Sequence, residues 1–275
     1  MKKKKTVARP SVRELAIKTW RESLDDNVLG AAAELSYYFL LALFPLLIFL
    51  TSIIGFLPGV DNSLLRGLER ALPPDAMKLV RDVLDDVVSN RSGGILSLGL
   101  VGSLWAASSG IASLVIALNK AYDAAESRPY WKRRLIALGL TLAVAILVIG
   151  GSGLIMIAHK IGNWLERALE LSATVAFFST VLGYLTGFGL LVMGIAVLYY
   201  FGPDFKETKR PVMPGALFAS TGMVVGSLLF SFYLRVVPSA SATYGSLGAL
   251  VTLMLWLYLT GLLLLIGGEI NSEIA

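Results

Sequence analysis

The sequence predicts an all-α polytopic membrane protein with six transmembrane helices and both termini in the cytoplasm. Three observations carry that expectation. The chain has 275 residues, 56% of them hydrophobic, with a mean hydropathy of +0.72. Its 24 basic and 19 acidic residues all fall within 106 positions, leaving 169 in six segments that carry no Lys, Arg, Asp or Glu. The segments are Leu35 to Val60, Ser92 to Asn119, Leu135 to His159, Leu171 to Pro203, Pro211 to Leu234 and Val236 to Gly268, with 26, 28, 25, 33, 24 and 33 residues. Each is longer than the ~20 residues that cross a ~30 Å hydrocarbon layer as a helix. Finally, 16 Lys and Arg lie on one side of the predicted bilayer and 8 on the other, which places the basic side in the cytoplasm. Charge spacing of this kind excludes a soluble enzyme, and six spans leave room for one membrane domain with short loops.

The elements follow in order. Residues 1–28 form a cytoplasmic arm, which reads as retained because Thr6 to Asn27 offers no apolar core for a signal peptide. Ser11 and Glu14 have the spacing of a capping box after Pro10. Val12, Leu15, Ala16, Thr19, Trp20 and Leu24 then recur at helical spacing, predicting an amphipathic helix in the interface with Trp20 at headgroup depth. Spans are expected at about 33–57, 94–118, 135–158, 174–201, 212–235 and 245–268. Residues 61–90 carry two leucine- and valine-rich stripes split by Pro73-Pro74-Asp75, a pattern for an extracytoplasmic helical hairpin. Ile161, Trp164, Leu165, Ala168 and Leu169 predict a short interfacial helix in the third loop.

Within the spans, Gly183 and Gly187, and Gly222 and Gly226, have the four-residue spacing of close helix contacts. Polar groups in hydrocarbon are costly and so mark candidate sites. Glu34, Tyr37 and Tyr38 open the first span, and Pro45 should kink it by removing an internal hydrogen bond. Trp105, Ser108, Ser109 and Asn119 in the second span, and Tyr244, Ser246, Trp256, Tyr258, Thr260 and Glu269 in or beside the sixth, would complete a semipolar path between spans one, two and six. The structural alternative is equally specific: Glu34 and Glu269 reach water at the cytoplasmic face, and the hydroxyls bond back to their own helices. Arg128, Lys132, Arg133, Arg134, Lys206, Lys209 and Arg210 form a cationic cytoplasmic rim suited to an anionic headgroup.

These residues fall into blocks that resemble the YihY/BrkB family of bacterial inner-membrane proteins. The blocks are Ala31-Ala32-Ala33-Glu34-Leu35-Ser36-Tyr37-Tyr38 with Leu41-Ala42-Leu43-Phe44-Pro45; then Trp105, Gly110, Asn119, Ala121-Tyr122 and Arg128-Pro129. Tyr199-Tyr200, Pro203, Pro214-Gly215-Ala216, Tyr244-Gly245-Ser246-Leu247-Gly248, Trp256-Leu257-Tyr258 and Gly267-Gly268-Glu269 complete the pattern, from about Trp20 to Asn271. The asparagine that usually follows the fourth-loop proline is Asp204 here. The resemblance implies a six-helix, multi-pass inner-membrane protein of envelope maintenance, linked to serum resistance and to movement of lipids or lipopolysaccharide precursors.

Three function classes follow. The first is a transporter, or an accessory to one, for lipid or another anionic amphiphile, with membrane lipids as partners and no cofactor. The second is a noncatalytic scaffold that recruits an envelope protein partner through residues 61–90. The third, a membrane-embedded hydrolase, fails on chemistry, since Ser108 and Ser109 have no histidine near them in sequence and His159 falls on the opposite side. The family's former label as a tRNA-processing ribonuclease BN meets the same objection, because one histidine, no cysteine and scattered cytoplasmic acids (Asp25, Asp26, Asp123, Glu126) suggest no metal cluster. The pI of 9.4 is explained by positive-inside loops without nucleic acid.

Overall fold

A computed structural model describes residues 12–56, 95–169, 172–205, 211–236 and 246–275. They form seven helices: α1 Val12–Asp25, α2 Val28–Phe56, α3 Ile95–Ala121, α4 Tyr130–Leu169, α5 Ser172–Phe201, α6 Met213–Val236 and α7 Ser246–Ile274. Each charge-free segment lies largely within one helix. Five helical stretches are long and apolar enough to cross a bilayer, and the apolar part of α2 described in full is the shorter Val28–Leu43. The protein is therefore an all-helical, polytopic membrane protein.

Neighbour contacts run α2–α3–α4–α5–α6–α7 and close from α7 back to α2, with α7 also touching α3. α1 packs on α7 and α2. The largest buried cluster gathers Val28, Ala32 and Leu35 of α2, Leu114, Val115 and Leu118 of α3, Ile195, Leu198 and Tyr199 of α5, Ala216 and Ala219 of α6, and Leu264 and Leu265 of α7. These positions start α2 and α6 and end α3, α5 and α7, so they share one end of the bundle. Lys120, Arg128, Lys132 and Arg133 stand at the same end, called the basic end below. Outward faces carry large apolar residues such as Leu182, Tyr184, Leu185, Leu228 and Phe232, a surface that suits lipid.

Small residues earn their place where backbones meet. A Cβ on Gly215 of α6 would strike the carbonyl of Gly267 on α7, and one on Gly222 would strike Leu263. The Gly222–Gly226 face thus packs on α7 as expected, whereas Gly187, on the other predicted stripe, faces open space. Three further expectations need correction or refinement. The apolar stripe from Ile161 to Leu169 is the last part of a continuous α4, since no proline interrupts it and the single Gly162 is tolerated inside a helix. Pro45 stands inside α2 without ending it, although its missing N–H leaves the Leu41 carbonyl without a helical donor. In α1 the predicted stripe divides: Thr19 is buried, together with Ser23 from outside the stripe, while Trp20 and Leu24 are exposed and free to meet lipid. The hairpin expected over 61–90 lies outside the described residues.

Candidate functional site

At the basic end two polar networks fasten the helices. α3 stops at Asp123, whose left-handed backbone (φ 50°) lets the Ala124 amide donate to the Asn119 carbonyl at 2.8 Å. The loop that follows folds over the end of α5. Arg128 clasps Glu126 through Nε (2.8 Å) and Nη2 (3.0 Å), and Nη2 also donates to the Gly202 carbonyl at 2.9 Å. Asn119 donates to Glu126 at 2.7 Å and accepts from the Asp204 amide at 2.8 Å. Asp204 accepts from the Ser127 amide and hydroxyl at 2.8 and 2.6 Å. The Arg128 hydrogen bond holds the Glu126 carboxyl below the ordinary carboxylate range, and Ser127 does the same for Asp204. Asp204 thus closes a clasp, a role that its charge alone did not reveal.

The second network ties α6 to α7. Asn271, fully buried, accepts from the Gly215 amide at 2.7 Å and donates to the Tyr122 hydroxyl at 2.9 Å and the Val212 carbonyl at 3.2 Å. The Gly215 amide is one of the first-turn N–H groups that a helix leaves without an internal partner, whereas the Val212 carbonyl also accepts the Ala216 amide at 3.1 Å. The Tyr199 hydroxyl donates to the Leu264 carbonyl at 2.7 Å nearby.

Beside these closed networks lies an open one. The turn between α1 and α2, with Asn27 in the left-handed region (φ 53°), places Asp26 and Asn27 at the mouth of a cleft between α2 and α3. The cleft has a volume of about 360 Å³ and is lined by Asp26, Asn27, Glu34, Tyr38, Ser113 and Lys120, among others. Lys120 Nζ donates to the Asp26 carbonyl across it. Tyr37, Leu41 and Ile116, exposed beside the cleft on α2 and α3, are apolar or amphipathic. Burial pushes the Asp26 carboxyl above its ordinary value, against the pull of Lys120. Glu269, expected to reach water, is only 2% exposed. Its carboxyl stands in hydrogen-bonding reach of Asp26, its Oε1 has no hydrogen-bond partner among the described residues, and Asp123 and Glu22 are the next acids around it.

A third polar feature is Arg134, one turn into α4 and 9% exposed. Its guanidinium lies 4.2 Å from the Trp105 ring centroid, donates to Ser109 Oγ at 3.3 Å from both terminal nitrogens and to the Trp105 carbonyl, and its Nε has no partner among the described residues. No ion pair of Arg134 is found among the described residues. Ser109 is about 18 Å along α3 from its C-terminal end, so the cation reaches into the bundle. Trp105 itself is 51% exposed.

The structure therefore divides the predicted path. Glu34 and Tyr38 share the cleft; Tyr37 stacks edge-on with Tyr38 at 5.6 Å. Trp105 and Ser109 belong with Arg134, and Asn119 with the Arg128 clasp. Trp256 packs against Phe230 at 5.8 Å, and Tyr258 rests on the core. Ser36, Ser108, Thr141 and Thr260 do bond back to helix carbonyls. Arg128 is consumed by its carboxylates, Lys132 is exposed, and Arg133 lies over Tyr130 at 5.8 Å. Tyr244, Lys206, Lys209 and Arg210 fall outside the described residues. Sequence reading missed Asn271 and Lys120, and treated Asp26, Asp123 and Glu126 as scattered. Asn271, a lone amide two residues past Glu269 in an apolar helix, was the available signal.

A family model described as virulence factor BrkB matches residues 19–275. The ribonuclease-like protein YfkH of Bacillus subtilis is 39% identical over 88% of this chain and 88% of its own length. A UPF0761 membrane protein of Pseudoalteromonas translucida is 26% identical over 92% of this chain and 83% of its own length. A UPF0761 membrane protein of Alkalilimnicola ehrlichii is 29% identical over 91% of this chain, which spans only 56% of that relative. No solved structure matches. With an all-helical membrane fold and a family match over almost its whole length, the chain belongs to the YihY/BrkB family and is a multi-pass protein of the bacterial inner membrane.

Proposed function

We propose that the protein moves, or helps to move, lipid or another anionic amphiphile through the cleft between α2 and α3, as part of envelope maintenance. The observation that carries the reading is a polar slot in an apolar wall. Asp26, Asn27, Glu34, Ser113 and Lys120 offer charge and hydrogen bonds to a headgroup, while Leu41 and Ile116 beside them offer an apolar flank to its chains. A lysine there contributes about 1 kcal/mol toward an anionic surface. Among the described residues Lys120 hydrogen-bonds a backbone carbonyl and makes no ion pair within 4 Å, so a phosphate would compete for its charge only with the more distant pull of the Asp26 carboxyl. By its excess of Lys and Arg the basic end is the cytoplasmic one. No phosphate-binding glycine loop occurs in the sequence, so any energy for uphill movement comes from a gradient or a partner.

The ribonuclease-like name of YfkH is not adopted for this chain. Among the described residues no three of His, Cys, Asp and Glu gather as metal ligands, and the clasp acids are bound to Arg128 or Ser127. The test uses purified protein in liposomes containing fluorescent phosphatidylglycerol or fluorescent phosphatidylcholine, with chemical quenching of the outer leaflet. The protein should speed exchange of the anionic lipid, and Lys120→Gln should slow it about fivefold, the equivalent of about 1 kcal/mol. Glu34→Gln should also alter the rate. Exchange equal to protein-free vesicles, with both variants silent in cells, overturns the proposal.

A further inference from the structure

The corner where α1 turns into α2 meets α7 through two acids. Asp26 and Glu269 present their carboxyls to each other within hydrogen-bonding reach. Two ionised carboxylates cannot share a hydrogen bond, since neither has a donor, so the contact requires a proton between them. The second observation is independent of the acids' clustering: Glu269 is buried to 98%, and its Oε1 finds no donor among the described residues. An ionised carboxylate so placed would leave Oε1 with neither water nor a donor, whereas a protonated one tolerates the site. A divalent cation does not suit the position, because no three acidic or imidazole ligands converge there among the described residues.

The surroundings act on the same proton from every packed element. Glu22 of α1, Asp25 and Asp26 at the corner, and Asp123 after α3 add negative charge that favours holding it; Lys120 of α3 opposes them. Lys18 of α1 is engaged with Glu273 at 3.3 Å.

The geometry points to the Asp26–Glu269 pair as a proton-binding site that couples proton uptake to the state of the α2–α3 cleft. When the proton leaves to water at the basic end, two touching carboxylates remain and must separate. Asp26 carries the corner with it, and Asp26 and Lys120 line the cleft where Glu34 stands. Rising pH therefore frees the corner from α7, and falling pH fastens it. Coupling of this proton to amphiphile movement rests on the transport reading above; the proton site does not.

Infrared difference spectra of the full chain in liposomes, recorded while pH is raised, test the site directly. The wild type should show a protonated-carboxyl C=O band at neutral pH that disappears on alkalinisation, absent in both Glu269→Gln and Asp26→Asn and retained in Asp25→Asn. Should Glu269→Gln not fold, Asp26→Asn, on the more accessible partner, gives the same reading. Absence of the band in wild type, or its persistence in both variants, overturns the site. The chain has no cysteine, so a nitroxide on Ala31→Cys is a unique reporter of the cleft. Its mobility should change with pH in the wild-type background and not in Asp26→Asn; equal pH response in both overturns the link to the cleft. In the lipid assay, a gradient of one pH unit should shift the distribution of anionic lipid by up to about tenfold, the limit for one coupled proton. A titrating band with no lipid movement would sink the transport reading and leave the proton site standing. A titrating band with lipid movement indifferent to the gradient would sink the coupling alone.

Discussion

The Arg128 clasp and the Asp26–Glu269 corner sit at the same end of the bundle and draw on the same residue types, yet they are finished differently. In the clasp every carboxylate has a cation or a donor: Glu126 has Arg128 and Asn119, and Asp204 has Ser127 twice. In the corner two acids face one another and one oxygen is left without a donor among the described residues. Buried polar groups are strongly stabilising to a unique structure only when satisfied, and costly when not. The contrast separates residues that hold the fold from residues whose cost is retained for another purpose.

The largest break in that contrast should come from Arg128→Ala. It takes the cation from Glu126 and Asp204, whose side chains are largely covered in an otherwise exposed loop, and removes the bond to the Gly202 carbonyl, while Asn119 and Ser127 still donate to the two acids; we expect about 3 kcal/mol of lost stability, the lower end for a broken buried ion pair. Thermal unfolding in mild detergent measures it; a loss under 1 kcal/mol would mean that the clasp is ornamental. Asn271→Ala comes next. It orphans the buried Gly215 amide at the α6 start and removes the bond to the Tyr122 hydroxyl, while the Val212 carbonyl keeps the Ala216 amide, with an expected cost of about 2 kcal/mol in the same assay.

The two regions should also answer pH with opposite signs. Glu126 and Asp204 are held below their ordinary values, so their stabilisation is present above about pH 4 and is lost as pH falls further. Asp26 is raised, so its folded state binds the proton more tightly and stability declines as pH climbs above the ordinary carboxylate value. Unfolding curves taken across acid and neutral pH should flatten on the acid side in Glu126→Gln and on the neutral side in Asp26→Asn. The same slope in both variants would erase the distinction.

Much of this was legible in the sequence, because charge-free length reports directly on the cost of burying ions in hydrocarbon. Six gaps anticipated the helices, and the four-residue glycine spacing found the α6–α7 contact at Gly222 and Gly226. Two kinds of information were not there. Side-chain direction around a helix decides partners: Glu34 and Glu269 look alike as acids at helix ends, yet one lines an open cleft and the other is sealed against α1. Pairing between distant loops was also invisible, since Asn119, Glu126 and Asp204 meet only because two turns fold over one another. Arg128 looked like a free cation for the same reason.

Arg134 tests whether the contrast extends into the bundle. Among the described residues it has hydrogen bonds but no carboxylate, and replacing such a buried charge with an apolar side chain of similar volume is often close to neutral. Arg134→Met should change stability by no more than about 1 kcal/mol, while reducing the anionic lipid that co-purifies with the protein. If stability falls by several kcal/mol with lipid unchanged, Arg134 belongs with the clasp.

The smallest effect concerns how α1 is held. Lys18 and Glu273 form an ion pair at 3.3 Å, but the lysine side chain is 63% exposed, so water and salt screen it. Such pairs contribute about 0.2–1 kcal/mol, and Lys18→Ala should fall at or below about 0.5 kcal/mol. The contact that remains is the packing of α1 on α7 and α2, with Thr19 and Ser23 buried. Protection of α1 from protease should accordingly persist in high salt and in Lys18→Ala. Release of α1 by either would show that charge, not packing, keeps the corner beside Glu269, and the pH response assigned to Asp26 would then have to be measured again at fixed ionic strength.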